Sequence, residues 1–302
     1  MNMSGHRVLV GRLAIGLALA CASGSVAAGD ATRAFRIGLT ATMMPGVNTN
    51  DAIAAMTVWG SEIAAREQLP LHPQTQLIEN AAAVRGAVDE GRLDLVLMTT
   101  EQYVAANRPK FGEVMIGVRK GKARDEFLVL VKKGSAQRLA DLKGRRIIAI
   151  DGVSYDMSMA WLDTQLITEK LESASRHFSS VEHAPKVARG VLPVYFGQAD
   201  ACVVTRTAFD LMVEMNPQVG TSLVPIATSP PLVHAVAVLD NRFPAEMRPR
   251  LLSALLSLHT TSRGQQALAF FGFDRLMPAS DDVMAESLSV ARAHERAQRG
   301  TR

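Results

Sequence analysis

Short apolar runs and longer amphipathic stretches alternate along the first part of the chain. The runs at 35–40, 75–79 and 93–100 are rich in Leu, Ile and Met, and the stretches at 50–67 and 80–91 carry apolar residues at helical spacing. Continuous apolar runs of this length are typical of strands that are buried on both faces. The alternation therefore predicts a parallel sheet covered by helices on both sides.

The alternation restarts after two strand-like runs. These runs, at 113–121 and 125–134, are joined by the charged turn "KGKARD". Helical and strand-like segments then follow one another from 139 to 205, and two extended runs within 222–240 are split by a Pro-Pro pair. From Pro244 onward the pattern is helical and predicts no further strand. The chain thus predicts two α/β lobes.

One ten-residue unit occurs twice. "GRLDLVLMTT" at Gly91–Thr100 and "GQADACVVTR" at Gly197–Arg206 both read Gly-x-x-Asp, an apolar run and then Thr, at Thr99 and Thr205. In each copy Gly ends a helix, Asp starts a strand and Thr lies where the strand ends. Ligands of open parallel sheets bind beyond the carboxyl ends of the strands, so two facing lobes would bring these threonines to one cleft. The alternative, that Gly-x-x-Asp is only a helix stop and a turn, stays open.

The N-terminus has the features of a secretory signal. Arg7 and Arg12 precede the apolar run Leu13–Ala20, and small residues follow up to Ala28. The run is too short to span a bilayer as an anchor. We expect cleavage after Ala28 and a periplasmic protein, with lipid attachment at Cys21 as the alternative.

Composition excludes several classes of protein. The sequence is 48% hydrophobic and 21% charged, as in ordinary globular proteins, and its net charge is +4. There is no basic block, which argues against a nucleic-acid partner. After cleavage only Cys202 would remain, inside the apolar run "ACVV", so we expect no internal disulfide and a buried, inert thiol.

Several stretches carry a resemblance to a known family. "LADLKGRRIIAID" resembles the start of the second lobe of type II periplasmic solute-binding proteins, and "RIGLTATMMP", the Gly-x-x-Asp unit and "SPPL" resemble their phosphonate- and phosphite-binding branch in ABC transporters. The resemblance implies two lobes, each a mixed, mostly parallel sheet flanked by helices, joined by two hinge crossings. It implies these segments: a signal peptide at 1–28, lobe 1 at 29–122 and 231–302, and lobe 2 at 123–230.

The resemblance also implies where the ligand binds. Family members hold phosphonate oxygens at a Ser-Thr-Ser-Gly-like helix start, which here reads "VSYDMS". Ser154 and Ser158 remain as hydroxyls, whereas Tyr155 and Asp156 depart from the pattern. A helix start favours an anion, but Asp156 competes for the same amides.

Two further departures bear on the ligand. The family's His-Asp pair, whose acid would hold a ligand amine, reads His183-Ala184, and a tyrosine of the first crossing is replaced by Phe127. We therefore expect a small polar anion or zwitterion rather than a transferred phosphonate specificity. Nine residues at strand ends and helix starts are the candidate ligand contacts: Thr40, Thr42, Thr99, Tyr103, Ser154, Tyr155, Ser158, His183 and Arg206.

Catalysis is the weaker hypothesis. Ser154 and His183 suggest a triad, but the sequence has no Gly-x-Ser-x-Gly elbow, no His-Glu-x-x-His and no Cys-x-x-Cys. We expect a monomeric binding protein without cofactor or metal. Its partner is an ABC permease or, as the alternative, a membrane sensor kinase or cyclase that the same kind of receptor could serve.

Overall fold

The structure, a computed structural model, describes residues 32–44, 48–106, 111–152 and 155–300. The proposed signal peptide and Ser154 lie outside these residues. Across the described ranges, no helix combines the length and apolar character needed to cross a bilayer.

The first sheet has six strands and defines lobe 1. Their spatial order is β11-β4-β10-β3-β1-β2, and β1, β2, β3 and β4 run in one direction while β10 and β11 oppose them. The strands are β1 (Arg33–Thr40), β2 (Leu71–Ile78), β3 (Leu95–Thr99), β4 (Phe111–Val118), β10 (Ala235–Asp240) and β11 (Arg275–Pro278). The sheet is therefore mixed, and two of its strands come from the C-terminal part of the chain.

The helices of lobe 1 connect and cover these strands. They are α1 (Thr49–Arg66), α2 (Ala81–Asp89), α3 (Thr100–Ala106), α9 (Arg248–Leu256) and α10 (Ser262–Phe270). Helix α1 begins at Asn48, whose side chain accepts the N–H groups of Asn50 and Asp51. Short 3₁₀ turns at Ala41–Met43 and Leu258–Thr260 complete the lobe.

The second sheet has five strands and defines lobe 2. Its order is β7-β6-β8-β5-β9, with β5 antiparallel to the other four. The strands are β5 (Phe127–Lys132), β6 (Arg146–Ile150), β7 (Ser180–Ala184), β8 (Ala201–Thr205) and β9 (Leu223–Thr228). A 3₁₀ turn at Leu139–Leu142 precedes β6, and the helices are α4 (Asp156–Thr168), α5 (Ala174–His177), α6 (Val187–Tyr195), α7 (Arg206–Met215) and α8 (Pro217–Ser222).

Two crossing segments join the lobes. The first connects β4 to β5 and the second connects β9 to β10; they pair through reciprocal backbone bonds between Asp125 and Leu232. The last helix, α11 (Asp281–Gly300), packs against both α3 and α4, so it also connects the lobes. The expected two lobes and two crossings are thus present.

Successive side chains of each strand point to opposite faces of the sheet, and both faces are packed. This explains the continuous apolar runs. In β10, Ala235 and Ala237 pack into a cluster with α1 and α9, while Val236 and Val238 pack into the cluster on the opposite face. The strands of lobe 2 divide in the same way between two clusters. Because both faces are covered, the central strands β5, β8 and β10 are apolar up to their last residue. Cys202 is buried and unpaired in β8, and burial raises the pKa of its thiol to about 12.

The repeated Gly-x-x-Asp unit is an anchor between a helix end and the neighbouring strand. The Asp94 N–H donates to the Arg36 carbonyl, and the Asp94 carboxylate accepts the Arg36 N–H at 2.8 Å. Asp200 does the same with Arg146, at 2.9 Å. The aspartates are therefore structural, as the alternative interpretation of the motif held.

The prediction of no strand after Pro244 is wrong. Strand β11 pairs antiparallel with β4 at the edge of the first sheet. It has only four residues and ends in Pro278, and none of its residues is fully buried. So short and half-exposed a run carries no clear strand pattern, and its pairing with β4 is a tertiary effect.

Candidate functional site

The strand ends of lobe 1 present buried hydroxyls. Thr40 ends β1 and Thr99 ends β3, and both are fully buried. The Thr40 hydroxyl has no hydrogen-bond partner among the described residues. Thr42, in the next turn, is exposed, and its hydroxyl accepts a 2.7 Å bond from Gln102. A buried hydroxyl without a partner is costly, so this edge is suited to a water or a ligand group.

The start of α4 contacts Thr99 from lobe 2. The Asp156 carboxylate hydrogen-bonds to Thr99 across the lobe boundary, and its second oxygen is buried with no described partner. Burial raises the pKa of Asp156 to about 6, which the Thr99 bond opposes only partly. The Asp156 carboxylate thus links the start of α4 in lobe 2 to the end of β3 in lobe 1.

A second acid lies beside Asp156. Glu101, in α3, has its pKa raised to about 7 by burial and by the nearby carboxylates of Asp156 and Asp163. His294 of α11 lies 3.8 Å from both Glu101 and Asp163, and burial lowers the pKa of its imidazole. The junction of α3, α4 and α11 thus holds a partly buried group of titratable side chains.

A cleft of about 250 Å³ lies between the first crossing and lobe 2. Four basic side chains line it: Arg119, Lys120, Lys122 and Arg124. The acid in its wall, Asp125, already accepts the backbone N–H groups of Glu126 and Thr207, at 2.9 and 3.3 Å. Positive charge consequently dominates the cleft, which favours an anion.

Arg119 is the best-fixed of the four basic groups. Its Nη2 donates to the Phe271 carbonyl at 3.0 Å, and the guanidinium lies 5.8 Å from the centre of the Phe273 ring. Burial lowers its pKa, but an arginine starts so high that it stays charged at neutral pH. A held, partly desolvated guanidinium loses little entropy when it binds an oxyanion.

His234, in the second crossing, also lines the cleft. Both ring nitrogens are buried without a described partner, and the ring packs edge-on against Phe127 with centroids 5.2 Å apart. Burial lowers the pKa of His234 to about 4, so at pH 7 the neutral ring offers one donor and one acceptor. His234 is not among the nine contacts predicted from the sequence. A lone imidazole within the apolar run "LVHAVAV" was the available signal.

Tyr155 closes the lobe 2 side of the same cleft. Its hydroxyl hydrogen-bonds to Thr205 at the end of β8, and its ring lies 6.3 Å from that of Phe127. Burial raises the pKa of the phenol despite the Thr205 bond, so it stays protonated. Among the described members of the nine candidate contacts, Tyr155 therefore lines the cleft.

Besides Thr40, Thr42 and Thr99, which do not line this cleft, four other candidates lie away from it. Arg206 forms an ion pair with Glu126. Ser158 is buried within α4, and Tyr103 stacks on Phe111 with ring centroids 5.4 Å apart. Arg206 and Tyr103 thus have structural contacts that account for them, and the Ser158 side chain is buried.

His183 is the fourth candidate away from the cleft. It is exposed at the end of β7, and its Nδ1 lies 2.8 Å from the Asp151 carboxylate at the end of β6. The acid missing from the sequence pair is therefore supplied in space by a neighbouring strand. No group of His, Cys, Asp and Glu among the described residues could hold a metal ion.

Comparison with known proteins identifies the family. The model of the family "ABC transporter, phosphonate, periplasmic substrate-binding protein" matches residues 43–284. The chain belongs to this family. A sequence search of curated proteins finds no match.

Solved structures show the same fold at low identity. XAC2383 from Xanthomonas citri, solved with ATP, is 14% identical over 88% of this chain and 98% of its own, with a TM-score of 0.65. PhnD1 from Prochlorococcus marinus, solved with methylphosphonate, is 17% identical over 89% and 99%, with a TM-score of 0.58. A binding protein of an ABC phosphonate transporter from Pseudomonas aeruginosa, PA3383, is 12% identical over 88% of each chain, with a TM-score of 0.57. The family member has the two-lobe, type II periplasmic-binding-protein fold, as the resemblance implied.

Proposed function

We propose that this family member captures a small anion in the cleft between its lobes and delivers it to an ABC permease. The observation that carries the proposal is the cleft wall, in which four basic side chains face one acid that is already engaged by backbone N–H groups. Two structural neighbours were solved with phosphorus-containing anions of very different size, methylphosphonate and ATP. A phosphonate or phosphate group is therefore the first ligand to test.

The roles follow from charge and hydrogen bonding. Arg119 supplies a fixed cation, with Lys122 and Arg124 adding charge at the exposed end of the cleft. His234 supplies its free N–H, and Tyr155 with Thr205 bounds the opposite wall. Ser154 lies outside the described residues and stays a ligand contact predicted from the sequence.

The remaining candidates divide into two groups. Thr99 belongs to the lobe 1 side of the site, because its hydroxyl bonds to Asp156 of α4. Thr40 stays a predicted contact on the same side, with a buried hydroxyl that has no partner among the described residues. Thr42, Tyr103, Ser158, His183 and Arg206 are assigned positioning roles, because each is buried in a helix or already paired. The predicted boundaries between the lobes lie at 122/123 and 230/231. The first of them falls in the first crossing, beside the cleft.

Isothermal titration with methylphosphonate, inorganic phosphate and inorganic sulfate tests the proposal. Replacing one buried charged partner of an anion costs about 2–5 kcal/mol, so Arg119→Ala should weaken the best of these ligands at least thirtyfold. Arg145→Ala, an exposed arginine of lobe 2, is the matched control and should leave the affinity within twofold. Equal losses in both variants, or no binding of any anion, would contradict the proposed site.

Arg206→Ala tests whether Arg206, a contact predicted from the sequence, binds the ligand. Glu126 already neutralises Arg206, so we expect an affinity within about threefold of the unmodified protein. A loss as large as that of Arg119→Ala would return Arg206 to the site. In the same samples, the unchanged ligand should be recovered after incubation, as expected for a receptor rather than an enzyme.

The cellular role has its own tests. We propose export with cleavage after Ala28, which mass spectrometry of the periplasmic form checks, and a monomeric receptor. The alternative partner, a membrane sensor, stays a prediction. Neighbouring genes for a permease and an ATPase would support transport, and a neighbouring sensor gene would support signalling.

A further inference from the structure

The loop between α10 and β11 packs against the end of β4 and the start of the first crossing. Its residues, 271–274, read "FGFD", and we call this segment the FGFD loop. The Phe271 carbonyl accepts Nη2 of Arg119 at 3.0 Å, and the Asp274 N–H donates to the Val118 carbonyl at 2.7 Å. A segment from the C-terminal part of the chain is therefore bonded to both sides of the point where the crossing begins.

The Phe273 ring occupies the space that a side chain at Gly117 would need. A Cβ at Gly117 would come within 2.4 Å of the ring. Phe271 stacks on the same ring, with centroids 6.4 Å apart, and the Arg119 guanidinium lies over it at 5.8 Å from its centre. The ring thus packs against β4 and offers the guanidinium an aromatic face, which attracts a cation.

The FGFD loop also holds the turn that follows Arg119. Arg119 and Lys122 exchange backbone hydrogen bonds of 2.8 and 2.9 Å, which closes a two-residue turn with Lys120 at φ +47°. The Asp274 carboxylate accepts the Gly121 N–H of this turn at 3.0 Å. One carboxylate therefore fixes a turn from which three cations line the cleft, while Asp274 is not among the described residues that line it.

We propose that the FGFD loop positions Arg119 for the anion, with Phe273 and Asp274 as positioning residues. The inference rests on the proposed function and adds the segment that fixes its central cation before the ligand arrives. A guanidinium that is already held loses little rotamer freedom on binding. Without the loop, Arg119 would keep its charge but the anion would have to order it, so the affinity would fall.

Phe273→Leu removes the aromatic face and keeps an apolar side chain. In isothermal titration with methylphosphonate and inorganic phosphate, it should weaken the better ligand about fivefold, because the guanidinium loses its support. Phe273→Tyr keeps the ring and should bind within about twofold of the unmodified protein. Phe270→Leu, the preceding aromatic residue that packs edge-on against Trp59, is the matched control and should also stay within about twofold.

Asp274→Ala tests the sign of the effect. Removing an acid near the cleft would, through its charge alone, tighten the binding of an anion. Loss of the bond to Gly121 should instead weaken binding about threefold, because the turn that carries Arg119 is released. Asp210→Ala, an exposed acid of α7, is the control and should not weaken binding. Unchanged or tighter binding by Asp274→Ala would contradict the positioning role of Asp274.

A double-mutant cycle shows whether Phe273 acts through Arg119. In the Arg119→Ala background, Phe273→Leu should change the affinity by less than about twofold, because the group that the ring positions is gone. A loss of about fivefold in both backgrounds would mean that the ring acts independently of Arg119, and would overturn the inference.

A measurement without ligand separates the inference from the proposed function. The side-chain Nε–H signal of Arg119 in proton–nitrogen correlation NMR, assigned by its absence in Arg119→Lys, should be displaced by the Phe273 ring. In Phe273→Leu it should move towards the position of solvated arginines. A signal that stays in place would overturn the inference whether or not an anion binds.

The titrations complete the separation. Full affinity in both Phe273→Leu and Asp274→Ala, with a large loss in Arg119→Ala, would overturn the inference and leave the proposed function standing. Failure of every anion to bind, with the Arg119 signal displaced as expected, would contradict the proposed function and with it the anion as the reason for the positioning.

Discussion

The two copies of the Gly-x-x-Asp unit have the same backbone and different surroundings. In both, a helix ends at a glycine with positive φ, +69° at Gly91 and +74° at Gly197, and the aspartate pairs with the neighbouring strand. Asp94 is only 3% exposed and also binds the side chains of Arg33 and Arg36. The Asp200 carboxylate is 38% exposed, with one arginine 3.8 Å away. The same motif thus anchors both lobes but supports a buried charge network only in lobe 1.

The strand ends of the two units differ as well. In lobe 1, Thr99 bonds to the buried carboxylate of Asp156. In lobe 2, Thr205 caps α7 by accepting the Ala208 N–H at 3.3 Å and bonds to the neutral phenol of Tyr155. The repeated sequence therefore specifies how the aspartate pairs with the neighbouring strand. The elements around each copy decide what the threonine at the strand end contacts.

The largest expected effect is the loss of Asp94. Burial alone would raise its pKa, but the bonds from Arg36 and Arg33 outweigh burial and hold the pKa below its usual range. Asp94→Ala leaves two half-buried arginines without their partner and should destabilise the protein by about 3 kcal/mol in urea unfolding at pH 7. Asp200→Ala, the matched change in lobe 2, should cost about 0.5–1 kcal/mol. Equal costs would show that burial does not distinguish the two copies.

The two glycines should behave alike, unlike the two aspartates. Both have a positive φ, and a Cβ at either would meet no severe clash, so the cost of Ala is mainly the left-handed backbone. We expect Gly91→Ala and Gly197→Ala each to lower the free energy of unfolding by about 1–2 kcal/mol. Gly86→Ala, inside α2 with open space around it, should instead stabilise by about 0.5–1 kcal/mol. If Gly86→Ala destabilised as much as the others, helix-end geometry would not be the cause.

The smallest effect concerns pH and the strand end of lobe 1. The pKa of Glu101 is raised on folding, so the folded state holds this proton more tightly. Its stabilising contribution is complete at pH 4 and is lost as the pH rises to about 7. Glu101→Gln should therefore match the unmodified protein at pH 4.5 and exceed it at pH 8 by about 1 kcal/mol, allowing for solvent at this half-exposed group.

Urea unfolding at the two pH values checks this prediction. The buried histidines contribute with the opposite sign, but their contribution is common to both proteins and cancels in the difference between them. Glu214→Gln, at an exposed position of α7, is the control. If the difference in free energy of unfolding between Glu101→Gln and the unmodified protein stayed constant with pH, Glu101 would not be one of the titrating groups at the lobe junction.

Much of the fold could be predicted because its signals are local. Strands β3 and β8 are apolar up to their final threonine, since helices cover both faces, and glycines mark the ends of α2 and α6. Strand β11 could not be predicted, because its pairing with β4 decides its conformation. Order along the chain, more than any single motif, identified the family.

The site was less predictable, because partners across the lobes do not appear in sequence order. Arg206 follows a strand end, as a ligand contact would, but Glu126 from the first crossing pairs with it. His183 lacks its acid in sequence and gains Asp151 in space. His234 and Arg119 lie on the crossings rather than at the parallel strand ends where ligand contacts were sought.

A crystal structure of the protein grown with methylphosphonate would locate the anion. We expect phosphonate oxygens within about 3.2 Å of the Arg119 guanidinium and of one ring nitrogen of His234, in the cleft between the first crossing and lobe 2. Density for the phosphonate elsewhere, with Arg119 and His234 unchanged and unoccupied, would contradict it.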